Sequence, residues 1–245
     1  MPAAATEVAG KLAGPEDFKA QIKAIVDARH CNRHPLVEAW ATGKLTRPQM
    51  AAWVREHYHF TKDLWAFLSA VYSNCPYPDA RAAIMENLSE EEDPKDPHTE
   101  ILLSFAAACG ADPAKIKQSQ PMPTTWGLKD WLTVISTRRS WIEAAAGMHI
   151  GLESQLPTMV QHILPALRDV YRFKEDEIRF FTLHFEADQE HGGRIYDLVG
   201  RYATTPELQE AVRQAVRDGT QKRWLYYDGV YIKHVLGYPI DTLAC

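Results

Sequence analysis

The stretch Phe180-Phe-Thr-Leu-His184-Phe-Glu-Ala-Asp188-Gln-Glu-His191, continued by Ile195 and Leu198, sets both the fold class and the first candidate site. Its apolar residues, Phe180, Phe181, Leu183, Phe185, Ile195 and Leu198, recur with the three- and four-residue spacing of a helix and without the alternation of a strand. On that helix His184, Asp188 and His191 stand at i, i+4 and i+7. Each residue turns the chain by about 100°, so all three fall on one stripe. An arbitrary H-x-x-x-D-x-x-H is as readily a solvated polar face. Here the broad apolar cover on either side argues for a stripe that lies against a core, where imidazole and carboxylate are costly unless hydrogen-bonded or bound to a metal.

The same periodicity runs through the rest of the chain, and the predicted fold class is all-α. Phe18, Ile22, Ile25 and Val26 mark a first helix after Pro15. Thr46-Arg-Pro-Gln49 has the pattern of a capping box and opens a helix expected to run unbroken to about Asn74. A third helix is expected from Pro78 into the acidic run Glu90 to Asp93, and a fourth from Asp96-Pro97 to Gly110. A fifth is expected over 125–155, a sixth over 158–170, a seventh over 175–202, and a last from Thr205-Pro206 to Leu236. With no linker, repeat or shift in composition, the expectation is one domain spanning 1–245, with residues 1–14 as a flexible N-terminus. Helices this long on short connections make a compact bundle able to hold a site between facing helices.

At 245 residues one domain can bury about three quarters of its unfolded surface. The net charge of −5 offers no basic face for a nucleic-acid partner. No positive leader or long apolar run is present, so the expectation is a cytoplasmic protein with no membrane span. Cys31, Cys75, Cys109 and Cys245 form no C-x-x-C pair, which argues against a zinc ribbon or thioredoxin-type site and for free thiols.

Two further segments carry candidate ligands. Glu91 and His98 are seven residues apart, but Pro94 and Pro97 make a continuous helix untenable. Glu91 is then read in the last turn of one helix and His98 in the first turn of the next, both directed into the bundle. The alternative is a solvated acidic helix end. Glu153 is an isolated carboxylate in the apolar segment Gly147-Met-His-Ile-Gly-Leu-Glu153. Together these positions offer three carboxylates and three imidazoles, a mixed O/N set suited to iron or manganese, and helical bundles hold di-iron centres on carboxylates and histidines.

At these residues the chain resembles the haem-oxygenase-like di-iron oxidases and oxygenases, in particular their CADD-like and PqqC-like branches. The quoted anchors are His34-Pro35 with Gly43-Lys-Leu-Thr46, Asn87-Leu-Ser-Glu-Glu91 followed by His98, Glu153-Ser-Gln-Leu-Pro157, and His184 ahead of Glu186-Ala-Asp188-Gln-Glu-His191. The similarity runs from about His34 to His191 and more weakly through Trp224-Leu-Tyr-Tyr-Asp228. It implies a seven- to eight-helix bundle of the TenA/PqqC type, with Glu91, His98, Glu153, His184, Asp188 and His191 as ligands of two irons. A manganese–iron pair is the variant, and O2 is the co-substrate.

The PqqC-like side of the resemblance is carried by Arg138-Arg139-Ser-Trp-Ile-Glu-Ala-Ala, and it implies a rival reading as a cofactor-free oxidase. CADD-like enzymes make para-aminobenzoate by consuming one of their own tyrosines, with a lysine implicated as nitrogen source. Val37 and Ile163 stand at those positions here, which points away from self-consumption and toward a small external amino acid, amine or cofactor precursor. TenA-type thiaminases use a nucleophilic cysteine, and none of the four cysteines stands in that setting. The expected mechanism has two ferrous ions reduce O2 beside a bound substrate. His34, Tyr58 and Tyr227 are candidate pocket residues, and Arg138 or Arg139 a candidate carboxylate clamp. A small-molecule substrate and a homodimer are the expected partners. A non-enzymatic interaction module is the third reading.

Overall fold

A computed structural model describes residues 11–240, apart from the side chains of residues 184 and 186–192. Among the described residues every regular element is helical. In chain order the α-helices are α1 (Pro15–Ala28), α2 (Pro35–Ala41), α3 (Arg47–Thr61), α4 (Leu64–Asn74), α5 (Pro78–Glu91) and α6 (His98–Ala108). Then follow α7 (Pro113–Gln118), α8 (Pro123–Arg138), α9 (Trp141–Ala145), α10 (Leu156–Pro165), α11 (Arg179–Tyr202) and α12 (Pro206–Val230). Wider π-helical turns extend α9, α10 and α12 at Ala146–Ile150, Ala166–Val170 and Tyr231–Val235, and a short 3-10 turn covers Glu153–Gln155.

Local chemistry explains most of the starts. The Thr46 hydroxyl accepts from the Gln49 N–H, and the Gln49 amide oxygen accepts from the Thr46 N–H at 2.8 Å, completing the capping box read from sequence. Ser140 and Glu143 form a second box that opens α9. That box divides the helix expected over 125–155, because satisfying the first N–H groups of α9 favours a fresh start after Arg138. The helix expected from Thr46 to Asn74 is also divided, at Lys62-Asp63. There Asp63 pairs with Lys62 and with Lys129 of α8, both at 2.8 Å, a tertiary contact that no local signal encodes. The short helices α2 and α7 were not expected.

One continuous apolar core holds the elements together. At its centre Trp40, Trp53, Phe105 and Phe181 meet edge-on or stacked, with Phe105 and Phe181 centroids 4.9 Å apart. Buried Glu56 of α3 is fully engaged: it accepts from Arg55, from the Met122 N–H and from the Thr125 hydroxyl, tying α3 to α8. The helix α12 crosses the π turn of 146–150 at an unusually small separation. A Cβ at Gly219 would stand 3.0 Å from the Gly151 Cα and closer still to the Gly147 carbonyl oxygen. Glycine on both sides allows this approach and fixes the segment that leads into Glu153. Cys31, Cys75 and Cys109 are buried free thiols, while Cys245 lies outside the described residues. No described helix is long and apolar enough to cross a membrane.

Candidate metal centre

Glu91 is the last residue of α5 and His98 the first of α6, on either side of the break at 92–97. Proline 97 occupies the cap position, one residue beyond the expected Asp96. The two side chains meet, with His98 Nδ1 3.2 Å from Glu91 Oε1, and both are largely shielded from solvent. Burial alone pulls the imidazole pKa of His98 down, but Glu91, Glu90 and Asp96 outweigh it and raise the value above its ordinary one. Asp96 also ties this loop to α11, through an ion pair with Arg179.

Glu153 lines the same cavity as Glu91 and His98. Its carboxylate is held from behind by His149, whose Nδ1 lies 2.6 Å from Oε2. His149 is buried, and among the described residues its Nε2 meets no hydrogen-bond partner. Burial lowers its pKa, yet Glu153 and Glu91 outweigh that and raise it, so Nδ1–H donates to the carboxylate. His149 carries no role in the sequence expectations, although its i, i+4 spacing to Glu153 is the signal that pairs them.

Apolar walls surround these polar groups, among them Phe60, Leu132, Met148, Leu152 and Phe180. Three more polar side chains reach the cavity: His57, stacked 4.5 Å from Trp53; Asn87, whose buried Oδ1 is without a partner among the described residues; and Arg223. Asn87 belongs to the anchor that precedes Glu91, while His57 and Arg223 carry no sequence expectation. Each stands among polar or charged neighbours, Glu56 beside His57, Glu86 beside Asn87 and Lys222 beside Arg223, so no local pattern distinguishes them from surface residues.

Of the six expected ligands, His184, Asp188 and His191 fall on α11, and their side chains lie outside the described residues. Among the described residues no group of three or more His, Cys, Asp or Glu stands close enough to hold a metal ion. The donors that are described, two carboxylates and one imidazole around one largely apolar cavity, fit a borderline cation such as iron.

The four expected substrate contacts lie apart from this cavity's lining. His34 caps α2: Nδ1 accepts from the Leu36 N–H at 3.0 Å, which leaves Nε2–H to donate to Asp228 Oδ1 at 3.0 Å. Tyr58 is half-buried on α3, one residue past His57, and its ring meets His59. Arg138 is exposed at the end of α8, and Arg139 lines a separate surface cleft with Glu143 and Asp218. Tyr227 is fully buried behind Arg223, accepting from its Nη1 at 3.1 Å and donating to Met159 Sδ at 3.1 Å.

Known proteins resemble this chain over most of its length. The family model for iron-containing redox enzymes matches residues 51–224. A 4-aminobenzoate synthase of Nitrosomonas europaea is 30% identical over 224 residues, covering 87% of this chain and 91% of the relative. A pyrroloquinoline-quinone synthase of Granulibacter bethesdensis is 25% identical over 226 residues, covering 90% and 88%. A Shewanella denitrificans domain of unknown function with a haem-oxygenase-like fold superimposes with a TM-score of 0.78 at 18% identity, over 96% of this chain and 100% of that one. With the helical bundle, the cavity and the family model in agreement over most of its length, the chain belongs to the iron-containing redox enzymes and has the haem-oxygenase-like fold.

Proposed function

We propose that the chain is an O2-dependent oxidoreductase of biosynthesis that holds two iron ions on Glu91, His98, Glu153, His184, Asp188 and His191 and oxidises a small external metabolite. The observation that carries this reading is the register of α5 against α11. Arg201 pairs with Asp79 at 2.7 Å, and Arg194 pairs with Glu86, so seven residues forward on α5 match seven residues back on α11. Five residues beyond Glu86 is Glu91, and five back from Arg194 is position 189, inside the turn that carries Asp188 and His191. The helix α11 also packs on α6, on the π turn 146–150 and on the 3-10 turn that begins at Glu153. Every other segment with an expected ligand thus packs on α11, which supports this reading.

Bound iron would supply the electrons that reduce O2. The chain's own residues prepare the place. Phe60, Phe180, Leu132 and Leu152 keep bulk water from the cavity, which strengthens each electrostatic interaction inside it. The Nδ1–H of His149 occupies Oε2 of Glu153 and fixes the plane of that carboxylate. Val37 and Ile163 are both buried and offer neither a phenol nor an amine, which supports an external substrate over self-consumption. The names of the two relatives, synthases of 4-aminobenzoate and of pyrroloquinoline quinone, support a biosynthetic role.

Anaerobic titration with Fe(II), followed by rapid mixing with O2, tests the proposal. Uptake of two irons per chain, lost in His184→Ala, and faster O2 consumption with a candidate metabolite are expected. Uptake well below one iron per chain would refute it and favour cofactor-free oxidation.

A further inference from the structure

Arg223 is the feature of the cavity that the metal reading leaves unexplained. It lies on α12 and lines the cavity together with Glu91, His98 and Glu153. Its residue surface is only 3% exposed, yet among the described residues no carboxylate pairs with it. Its described hydrogen bond goes to the Tyr227 hydroxyl, and its Nε–H is buried with no acceptor among the described residues. The acidic groups packed nearest, Cys31, Tyr226 and Tyr227, cannot serve as counter-ions. Burial pushes the Cys31 thiol up to about 11 and the Tyr227 phenol to about 12, and raises Tyr226 well above its ordinary value. All three are neutral near pH 7, while a guanidinium stays charged. A buried cation without a partner is strongly destabilising unless something else supplies the charge.

We infer that Arg223 is the anion-recognition residue of the cavity, and that the substrate carries a carboxylate on an apolar body. The planar guanidinium is matched to two carboxylate oxygens, and its free Nε–H supplies one of the donors such a pair needs. Tyr227 holds the far side of the group through Nη1, and is itself fixed by its bond to Met159, so the fork is oriented before ligand arrives. The remaining lining, with Phe60, Leu132 and Phe180, suits the apolar remainder of such a molecule. The inference rests on the proposed function only in taking this cavity as the substrate site; Arg223 is distinct from every expected iron ligand.

Calorimetry on the full chain, with and without Fe(II), would compare benzoate with neutral benzamide and octanoate with neutral octanamide. The wild type is expected to bind at least one acid in preference to its amide. In Arg223→Met that acid should bind roughly 10- to 100-fold more weakly, the range for a lost charge-assisted hydrogen bond, with the amide unchanged. Arg223→Lys should keep part of the preference. Because methionine removes a buried charge and keeps an apolar stem, Arg223→Met should fold, and its ligand-free melting temperature should not fall. No charge preference in either pair, or equal acid binding by wild type and Arg223→Met, overturns the inference. Should iron uptake fail while an Arg223-dependent preference persists, the metal reading falls and the anion subsite stands.

Discussion

Replacing Gly219 by alanine should destabilise the protein, whereas the same change at Gly127 should stabilise it. Both glycines lie inside long helices, α12 and α8, where alanine is favoured by roughly 1 kcal/mol on propensity. They differ in what the added methyl meets. At Gly127 the nearest atom is Leu225 Cδ2 at 4.0 Å, an ordinary contact. At Gly219 it meets backbone: the Gly151 Cα at 3.0 Å and the Gly147 carbonyl oxygen at less. Backbone cannot swing aside as a side chain does, so α12 and the π turn must part. Overpacking of this kind costs about 1–3 kcal/mol, and a clash with backbone on both glycines belongs at the upper end. Subtracting the propensity gain leaves a net loss of about 2 kcal/mol for Gly219→Ala against a gain of about 1 kcal/mol for Gly127→Ala. For a chain of this size that predicts melting temperatures lower by about 4–8 °C and higher by about 2–4 °C. Circular dichroism at 222 nm during heating, checked by urea titration, reads both. A Gly219→Ala protein as stable as wild type would show that the close crossing is not a constraint, and the account of how Glu153 is positioned would fall with it.

Three other outcomes are expected. His149→Leu should leave the fold intact but weaken Fe(II) affinity by about 10- to 100-fold, as loss of a partner that orients a ligand does; unchanged affinity in an anaerobic titration would remove His149 from the site. Burial pushes the Asp63 carboxyl up, but Lys129 and Lys62 outweigh it and hold the pKa below the ordinary value of 3.8. A depressed folded-state value adds stability that is present above the unfolded pKa and lost as pH falls through the folded one. Asp63→Asn should therefore flatten the acid limb of stability against pH below about pH 5, and an unaltered limb in denaturant titrations would contradict the pairing. Glu56→Gln replaces a buried acceptor that Arg55, the Met122 N–H and the Thr125 hydroxyl all use, and a loss of about 2–4 kcal/mol is expected in urea unfolding; a loss below about 1 kcal/mol would mean that α3 and α8 are held together by apolar packing alone.

The helical period, the capping box at Thr46, the proline break between Glu91 and His98 and the ligand-type residues were all legible in the sequence, because each rests on chemistry within a few residues. The family was legible as a resemblance, carried by the quoted anchors from His34-Pro35 to His191 together and by no single spacing. The divisions at Lys62-Asp63 and Arg138–Ser140 were less so: one depends on Lys129 from a distant helix, and at the other a second capping box competes with a continuous apolar stripe. His34 shows the limit from the other side: expected as a pocket residue, it caps α2 through the Leu36 N–H and meets Asp228 of the distant α12. What tertiary structure alone decided is the composition of the cavity. It gathers Arg223, Asn87 and His57 from three helices around Glu91, His98 and Glu153, and whether a buried charge has a counter-ion depends on neighbours up to 130 or more positions away along the chain. Local sequence specifies helices; burial and charge balance belong to the packed whole.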